Sequence, residues 1–340
     1  MLLSDLEVPS EALPDFAPPP RFGTTHFADY NPQHPSQKVA LEKTQIFVQE
    51  ITPKRPRFFW QKIETGKGLY LDGGFGVGKT HLLASAFDAF HGAKIYLSFS
   101  ELVYLIGVLG KVKALEQLGS YKLYCIDEFE LDDPGNTLIV KTFLAHVFEK
   151  GAFVLTTSNT PPEAQGQGRF NAKDFKREIQ SIAERFEVVG IEGPDYRKRE
   201  REARLLTPGE LEHLYHAETP EKPKVKTNWH ELFIVLAQRH PIHYAGLLKQ
   251  IGILYIEDAM TIPGQNEALR FVHFIDKLYD LNVGLRMSGE IELAELFHST
   301  YRNNSYAKKH YRCLSRIAEL LEENRLLETS LQPTPAPQEK

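Results

Sequence analysis

Cysteine, methionine and tryptophan are scarce in this chain, with two, three and two among 340 residues. Cys125 and Cys313 cannot build a structural zinc site between them, and Cys125 lies in an apolar run where it reads as a small buried hydrophobe. A reducing compartment follows from that usage. Long apolar runs are missing too: the most apolar one, Leu102 to Leu109, is far short of the ~20 residues that span a bilayer. The opening residues MLLSDLEVPSEALPDF have no basic start ahead of an apolar stretch and are too acidic for a transit peptide. A soluble, cytoplasmic protein is expected. An excess of positive charge is also lacking, since 40 Lys and Arg stand against 45 Asp and Glu for a net charge of −5. The overall balance therefore does not point to nucleic acid or an anionic membrane, although a local basic face remains compatible with it.

What is present is an ordinary globular composition, with room for one large α/β domain and a smaller lobe. Residues 1–20 hold five prolines and several acids, and residues 326–340 end in a stretch with little that can pack, so both are expected to be disordered tails. Between them, β-rich apolar runs alternate with helical-period segments, the pattern of a parallel sheet with crossover helices. The runs are GLYLD (68–72), AKIYLSF (93–99), YKLYCID (121–127), AFVLTTS (152–158) and FEVVGIE (186–192). Helices are expected to start near Lys79, Ser100, Gly135 and Asp174, with Ser100 as a cap. The expectation is a core over 21–195 with five parallel strands and helices on both faces. The charged, proline-bearing stretch to Val225 reads as a connector. A C-terminal α/β region over 196–325 follows, with strand candidates at 252–258 and 282–288 and a last helix around His310 to Glu323.

There is a faint internal echo. Asp127 is followed by Ser158 and Glu257 by Ser288 at the same interval of 31 positions (158 − 127 and 288 − 257), each pair closing apolar strands around an apolar-periodic helix. Two ordinary strand–helix–strand units could coincide in this way. The alternative is a degenerate half-copy of the core without a phosphate loop, with strands that could extend the same sheet.

The chemistry concentrates at Gly73-Gly74-Phe75-Gly76-Val77-Gly78-Lys79-Thr80, which matches G-x-x-x-x-G-K-[ST] with a strand before it and a helix after it. Glycines there let backbone N–H groups close around phosphates at the positive end of the helix. Lys79 is expected at the β- and γ-phosphates of ATP, and Thr80 at Mg²⁺. One strand–helix unit later, LYCID ends in Asp127 and Glu128. Asp127 is expected to hold the metal and Glu128 to polarise the attacking water. Asn159, after the next strand, suits a sensor of the γ-phosphate or the water, with a turn asparagine before Pro161 as the competing reading. For an arginine that stabilises phosphoryl charge the candidates are Arg169, Arg177, Arg185, Arg312 and Arg316. Arg185, just ahead of the fifth strand, is the one best placed to reach a neighbouring subunit, while Arg316 could act in cis. Phe27, Tyr30 and Gln37 could form an adenine pocket or pack an amino-terminal helix on the sheet.

On these motifs the chain resembles the ZapE-like branch of the AAA+ ATPases, bacterial cell-division ATPases with mitochondrial relatives. The resemblance runs through PSQKVAL, GLYLDGGFGVGKTHLL, LYCIDEFELDDPGNT, TTSNTPPE, DYRKRE, IEDAMTIPGQNEALRFVHFIDKLYD and YRCLSRIAEL. The P-loop and acidic strand are common to all AAA+ proteins, whereas DEFELDD and ALRFVHFIDKLYD are more specific to this branch. The resemblance implies ATP hydrolysis, the roles given above for Lys79, Thr80, Asp127, Glu128 and Asn159, and the tubulin-like ring protein FtsZ as partner. A protein-remodelling ATPase, homo-oligomeric when ATP-bound, is the leading expectation. A nucleic-acid-associated AAA+ protein such as a helicase loader is the alternative, and the net charge and lack of a DNA-binding module weigh against it.

Overall fold

The computed structural model describes residues 1–7, 15–52, 65–131, 133–165, 176–194, 203–301 and 306–331. Its contacts divide the chain into two units, Leu13–Tyr196 and a second made of Met1–Ala12 with Arg197–Lys340.

The first unit, called the core below, holds five parallel strands: β1 (Gly68–Gly73), β2 (Lys94–Ser98), β3 (Leu123–Asp127), β4 (Phe153–Ser158) and β5 (Phe186–Ile191), in the order β2-β3-β4-β1-β5. Each inner strand is apolar on both sides, as a sheet covered on both faces requires. Alternate side chains separate cleanly. Leu69, Leu71, Leu123, Cys125 and Leu155 face α1 (Pro35–Ile51) and α2 (Lys79–Ala89). Tyr70, Tyr124, Ile126 and Val154 face α3 (Phe99–Leu118), α4 (Pro134–Glu149) and α5 (Lys176–Ala183). Burial pushes the Cys125 thiol well above its usual range, which leaves it a packing group rather than a nucleophile.

The second unit has its own three-stranded parallel sheet, β6 (Lys224–Asn228), β7 (Ile253–Glu257) and β8 (Gly284–Met287), in the order β6-β7-β8. Helices α6 (Pro208–Ala217), α7 (Trp229–Gln238), α8 (Tyr244–Leu248), α9 (Gln265–Asp280) and α10 (Ala307–Leu331) accompany it. The strand over 282–288 therefore has a parallel partner, but these strands do not extend the core sheet.

Several expectations need correction. Of the expected disordered tail over residues 1–20, 8–14 lie outside the described residues and the rest is packed: Leu3 and Leu6 are buried in the second unit's core, Lys226 N–H donates to Met1 O at 3.0 Å, and Tyr96 N–H donates to Phe16 O at 2.9 Å. Proline and acid content hid the few leucines that pack. The cap of α3 is Ser98, whose side chain accepts from Glu101 N–H while Glu101 accepts from Ser98 N–H, a reciprocal pair that puts the cap two residues before Ser100 and the first helical residue at Phe99. The stretch read as a connector contains α6, capped by Thr207, and the start of β6. The end of α10 reaches into 326–331, so the first part of the expected C-terminal tail is helical. Asp174 lies outside the described residues, and α5 begins at Lys176.

Candidate active site

The Gly73–Thr80 loop leaves β1 at the carboxyl edge of the core sheet and runs straight into α2. Gly76 and Gly78 have φ of 68° and 91°, a region in which side-chain-bearing residues are strained. A Cβ on Gly78 would also meet the Tyr30 ring at 2.5 Å. Gly74 has nothing within 4 Å of such a Cβ, which leaves that part of the loop open. Lys79, the first residue of α2, turns back across the loop: its ammonium donates to Gly73 O at 2.8 Å, Gly74 O at 2.5 Å and Asn159 Oδ1 at 2.9 Å. Asn159 thus stands against the lysine, where a residue following β4 in this strand order has to emerge.

Beside it, Thr80 Oγ1 donates to Asp127 Oδ1 at 3.4 Å. Tyr96 O–H donates to Asp127 Oδ2 at 3.0 Å, and Thr157 Oγ1 donates to Oδ1. Burial and the neighbouring Glu128 charge raise the Asp127 carboxyl above its ordinary 3.8, against the pull of these donors and of Lys79. A threonine hydroxyl and a carboxylate at adjacent positions are hard oxygen donors of the kind magnesium takes, and a cation there would relieve the desolvated charge. The residues present therefore fit both an open phosphate cradle and a divalent ion. Glu128 follows in the left-handed region at φ 55°, held by its own N–H donating to Thr157 Oγ1 at 3.0 Å and Asp127 Oδ1 at 3.1 Å. Backbone strain of this sort costs on the order of 1–3 kcal/mol and persists where surrounding bonds impose it. Here it bends the chain at once after Asp127.

Three contributors were not singled out from sequence. Tyr96 and Thr157 grip Asp127, and Gln165 is a buried hub, donating to Tyr70 Oη at 2.8 Å, Ser158 Oγ at 3.0 Å and Thr160 O at 3.1 Å while accepting from Leu131 N–H at 2.8 Å. That hub fixes the loop on which Asn159 sits. The strand alternation that puts Tyr96 on the Cys125 side was legible; nothing in the sequence marked Gln165.

Tyr30 and Gln37 pack behind the loop. Tyr30 O–H donates to Val77 O at 3.0 Å, and Gln37 Oε1 accepts from Gln33 N–H at 2.7 Å and His34 N–H at 3.1 Å. Of the two readings offered for them, packing of an amino-terminal helix describes what they do. Phe27 lies elsewhere, lining an open cavity of about 550 Å³ with Val48 and Ala89 at the far end of α2. Arg185 is exposed and precedes β5, whose first residue pairs with Gly68 at the start of β1. It is therefore at the opposite end of the sheet from Gly73, about 17 Å away along β1. Arg177 is exposed on α5, and Arg169 lies outside the described residues. Arg312 and Arg316 are buried in the second unit against Asp276, which accepts a hydrogen bond from Arg312 and forms an ion pair with Arg316, and Arg316 also stacks over Tyr279 at 5.0 Å. They hold α10 to α9, so the cis role considered for Arg316 is already displaced by a structural one.

A family model described as AFG1-like ATPase matches residues 26–233 and 221–328. Cell division protein ZapE of Escherichia coli K12 is 25% identical over 348 residues, covering 85% of this chain and 92% of that protein. An uncharacterized protein of Schizosaccharomyces pombe is 22% identical, over 68% of this chain and 62% of its own. Among solved structures, AMPPCP-bound DnaA from Aquifex aeolicus covers 92% of this chain and 95% of its own at 12% identity and a TM-score of 0.41. DnaI covers 52% and 93% at 19% identity and a TM-score of 0.42.

Proposed function

The chain belongs to the AFG1-like ATPase family and carries a nucleotide-binding P-loop core of the AAA+ type; from that premise we propose that it hydrolyses ATP at Gly73–Thr80 to remodel a protein partner in cell division. The single observation that carries the reading is the convergence of Lys79, Thr80, Asp127, Glu128 and Asn159 at one sheet edge around an open glycine loop. Loop N–H groups and Lys79 bind the β- and γ-phosphates. Thr80 and Asp127 hold Mg²⁺, which when bound offsets charge on the phosphate oxygens. Glu128 accepts a proton from the attacking water, and Asn159 orients that water or the γ-phosphate. Arg185 lies too far from its own loop to serve it, which supports its use by a neighbouring subunit in an oligomer.

The likeness to ZapE, described as a cell division protein, supports the division-ring protein FtsZ as partner, a reading that rests on that resemblance alone. The test is ATP turnover by the purified chain alone, with FtsZ polymers and with DNA, using Glu128→Gln as control. Stimulation by FtsZ supports the proposal. Stimulation by DNA alone, with salt-sensitive binding, replaces it with a nucleic-acid role.

A further inference from the structure

The second unit repeats the β2-to-β4 part of the core at a nearly constant step. β6, α7 and β7 follow β2, α3 and β3 at a constant step of 130 positions (224 − 94), and α9 and β8 follow α4 and β4 at 131 (265 − 134). Strand register keeps the same step: Lys94 aligns with Leu123 and Ser98 with Asp127, as Lys224 does with Ile253 and Asn228 with Glu257. Buried Phe99, Leu102, Leu105 and Ile106 of α3 recur as Trp229, Leu232, Val235 and Leu236 of α7. Ser98 caps α3 by accepting from Glu101 N–H, and Asn228 caps α7 by accepting from Glu231 N–H.

Generic strand–helix–strand packing explains alternation and handedness, but not shared irregularities. Glu128 and Asp258 are both left-handed, at φ 55° and 56°, and so are Gly151 and Asn282, at 70° and 54°. Phe129 N–H donates to Thr157 O at 2.7 Å, and Ala259 N–H to Ser288 O at 2.8 Å. Lys94 lies 4.5 Å over the Phe87 ring and donates to Phe90 O at 3.0 Å; Lys224 lies 4.7 Å over the Tyr215 ring and donates to Glu218 O at 2.8 Å.

Within the shared segments, the difference that bears on chemistry lies before α2 and at one strand position. Leu71 pairs with Thr157 on the flank of β4, and Leu206 bridges Ser288 on the flank of β8, a step of 135 (206 − 71). From α2 to α6 the step is 128, as Phe87 to Tyr215 shows (215 − 87). The seven positions lost between those steps (135 − 128) are Asp72 to Gly78, the phosphate loop itself. Leu206 runs directly into Thr207, the counterpart of Lys79. At the counterpart of Tyr96 stands Lys226, whose ammonium is 3.2 Å from Glu257 Oε1 and also pairs with Glu212. Tyr96 brings a neutral hydroxyl to Asp127; Lys226 brings a positive charge to Glu257.

We propose that the second unit is a duplicated ATPase core that has lost its phosphate loop and binds no nucleotide, with Lys226 as a built-in cation where the core takes a metal. The last part rests on the reading of Asp127 as metal carboxylate. The test uses the full chain and reciprocal swaps, Tyr96→Lys and Lys226→Tyr, with manganese binding followed by electron paramagnetic resonance in the presence of a non-hydrolysable ATP analogue. Wild type is expected to take one analogue per chain. Y96K should fold cooperatively yet bind manganese more than tenfold more weakly, and K226Y should still take one analogue, because no second loop exists. Two analogues per chain, or Y96K binding manganese as wild type does, overturns the proposal. Wild type without any manganese–nucleotide complex contradicts the proposed function instead, and a crystal structure of the chain then decides the repeat. Left-handed Asp258 and Asn282 with Lys226 on Glu257 uphold it, and their absence rejects it, which also covers the case of a Y96K variant that does not fold.

Discussion

The Lys79 ammonium reaches Asn159 Oδ1 at 2.9 Å, joining the first turn of α2 to the residue that follows β4. Together with the Gly73 and Gly74 carbonyls, this contact keeps the cation inside the loop before any phosphate arrives. In the proposed reaction phosphate oxygens exchange for those acceptors, and Asn159 is then released to meet the γ-phosphate or the water. Lys79→Ala is accordingly expected to lose tight ATP binding in a calorimetric titration. Asn159→Ala should bind within about tenfold of wild type but turn over about 10²-fold more slowly. Equal losses of binding in both variants would reduce Asn159 to a partner of the lysine.

Arg185 sits at the amino end of β5 while the phosphate loop sits at the carboxyl end of β1. In the proposed oligomer, Arg185→Ala binds ATP nearly normally and hydrolyses it ~10³-fold or more slowly. Mixing it with Lys79→Ala restores part of the activity, since one partner has an intact loop and the other an intact arginine. Failure of that rescue despite proven co-assembly would reject the assignment in trans.

Asp127 provides a pH test. Burial and the Glu128 charge raise its carboxyl above 3.8, so the folded nucleotide-free chain binds this proton more tightly than the unfolded chain does. Its contribution to stability is therefore lost as pH rises from 3.8 through the raised value. Asp127→Asn removes that loss: it should melt at a higher temperature than wild type at pH 7, with the advantage shrinking toward pH 4. The same variant should gain no stabilisation from ATP with magnesium. A lower melting temperature at pH 7 would mean that the hydrogen bonds from Tyr96 and Thr157 outweigh the burial of charge.

In the second unit the balance is opposite. Burial alone would raise the Asp276 carboxyl, but the Arg312 and Arg316 charges win and hold it at about 2. Its stabilisation is complete above the unfolded value near 3.8 and is lost as pH falls toward 2. Asp276→Ala removes the buried carboxylate that Arg312 and Arg316 share, although Asp280 stays 3.8 Å from Arg316, and should destabilise the chain by about 3–5 kcal/mol in urea titrations. A change within 0.5 kcal/mol, the usual range for exposed sites, would show that α10 is not held through this carboxylate.

The core was largely legible because its signals are local. Five apolar runs bounded by turn residues became β1 to β5, and a glycine loop between strand and helix admits few other readings. The charge-rich β6 was not legible: in KVKTN only Val225 and Thr227 turn inward, and lysines on the other side mask the alternation. The amino terminus was misjudged for a related reason, since Leu3 and Leu6 gain their burial from a sheet edge more than 200 positions away. Gln165 escaped notice because a buried hub is defined by partners from three segments. The 31-position echo, weak as a spacing, becomes a 130-position repeat only when register and left-handed residues can be compared.

The most direct test of the central claim is phosphate release by Glu128→Gln beside wild type, at ATP concentrations that saturate both. Glu128 follows Asp127 in a strained conformation imposed by Thr157, and glutamine keeps its shape but accepts no proton. The account predicts unchanged ATP affinity and turnover lowered by about 10²–10⁴-fold. Wild-type turnover in the glutamine variant, with ATP bound at Gly73–Thr80, would contradict it.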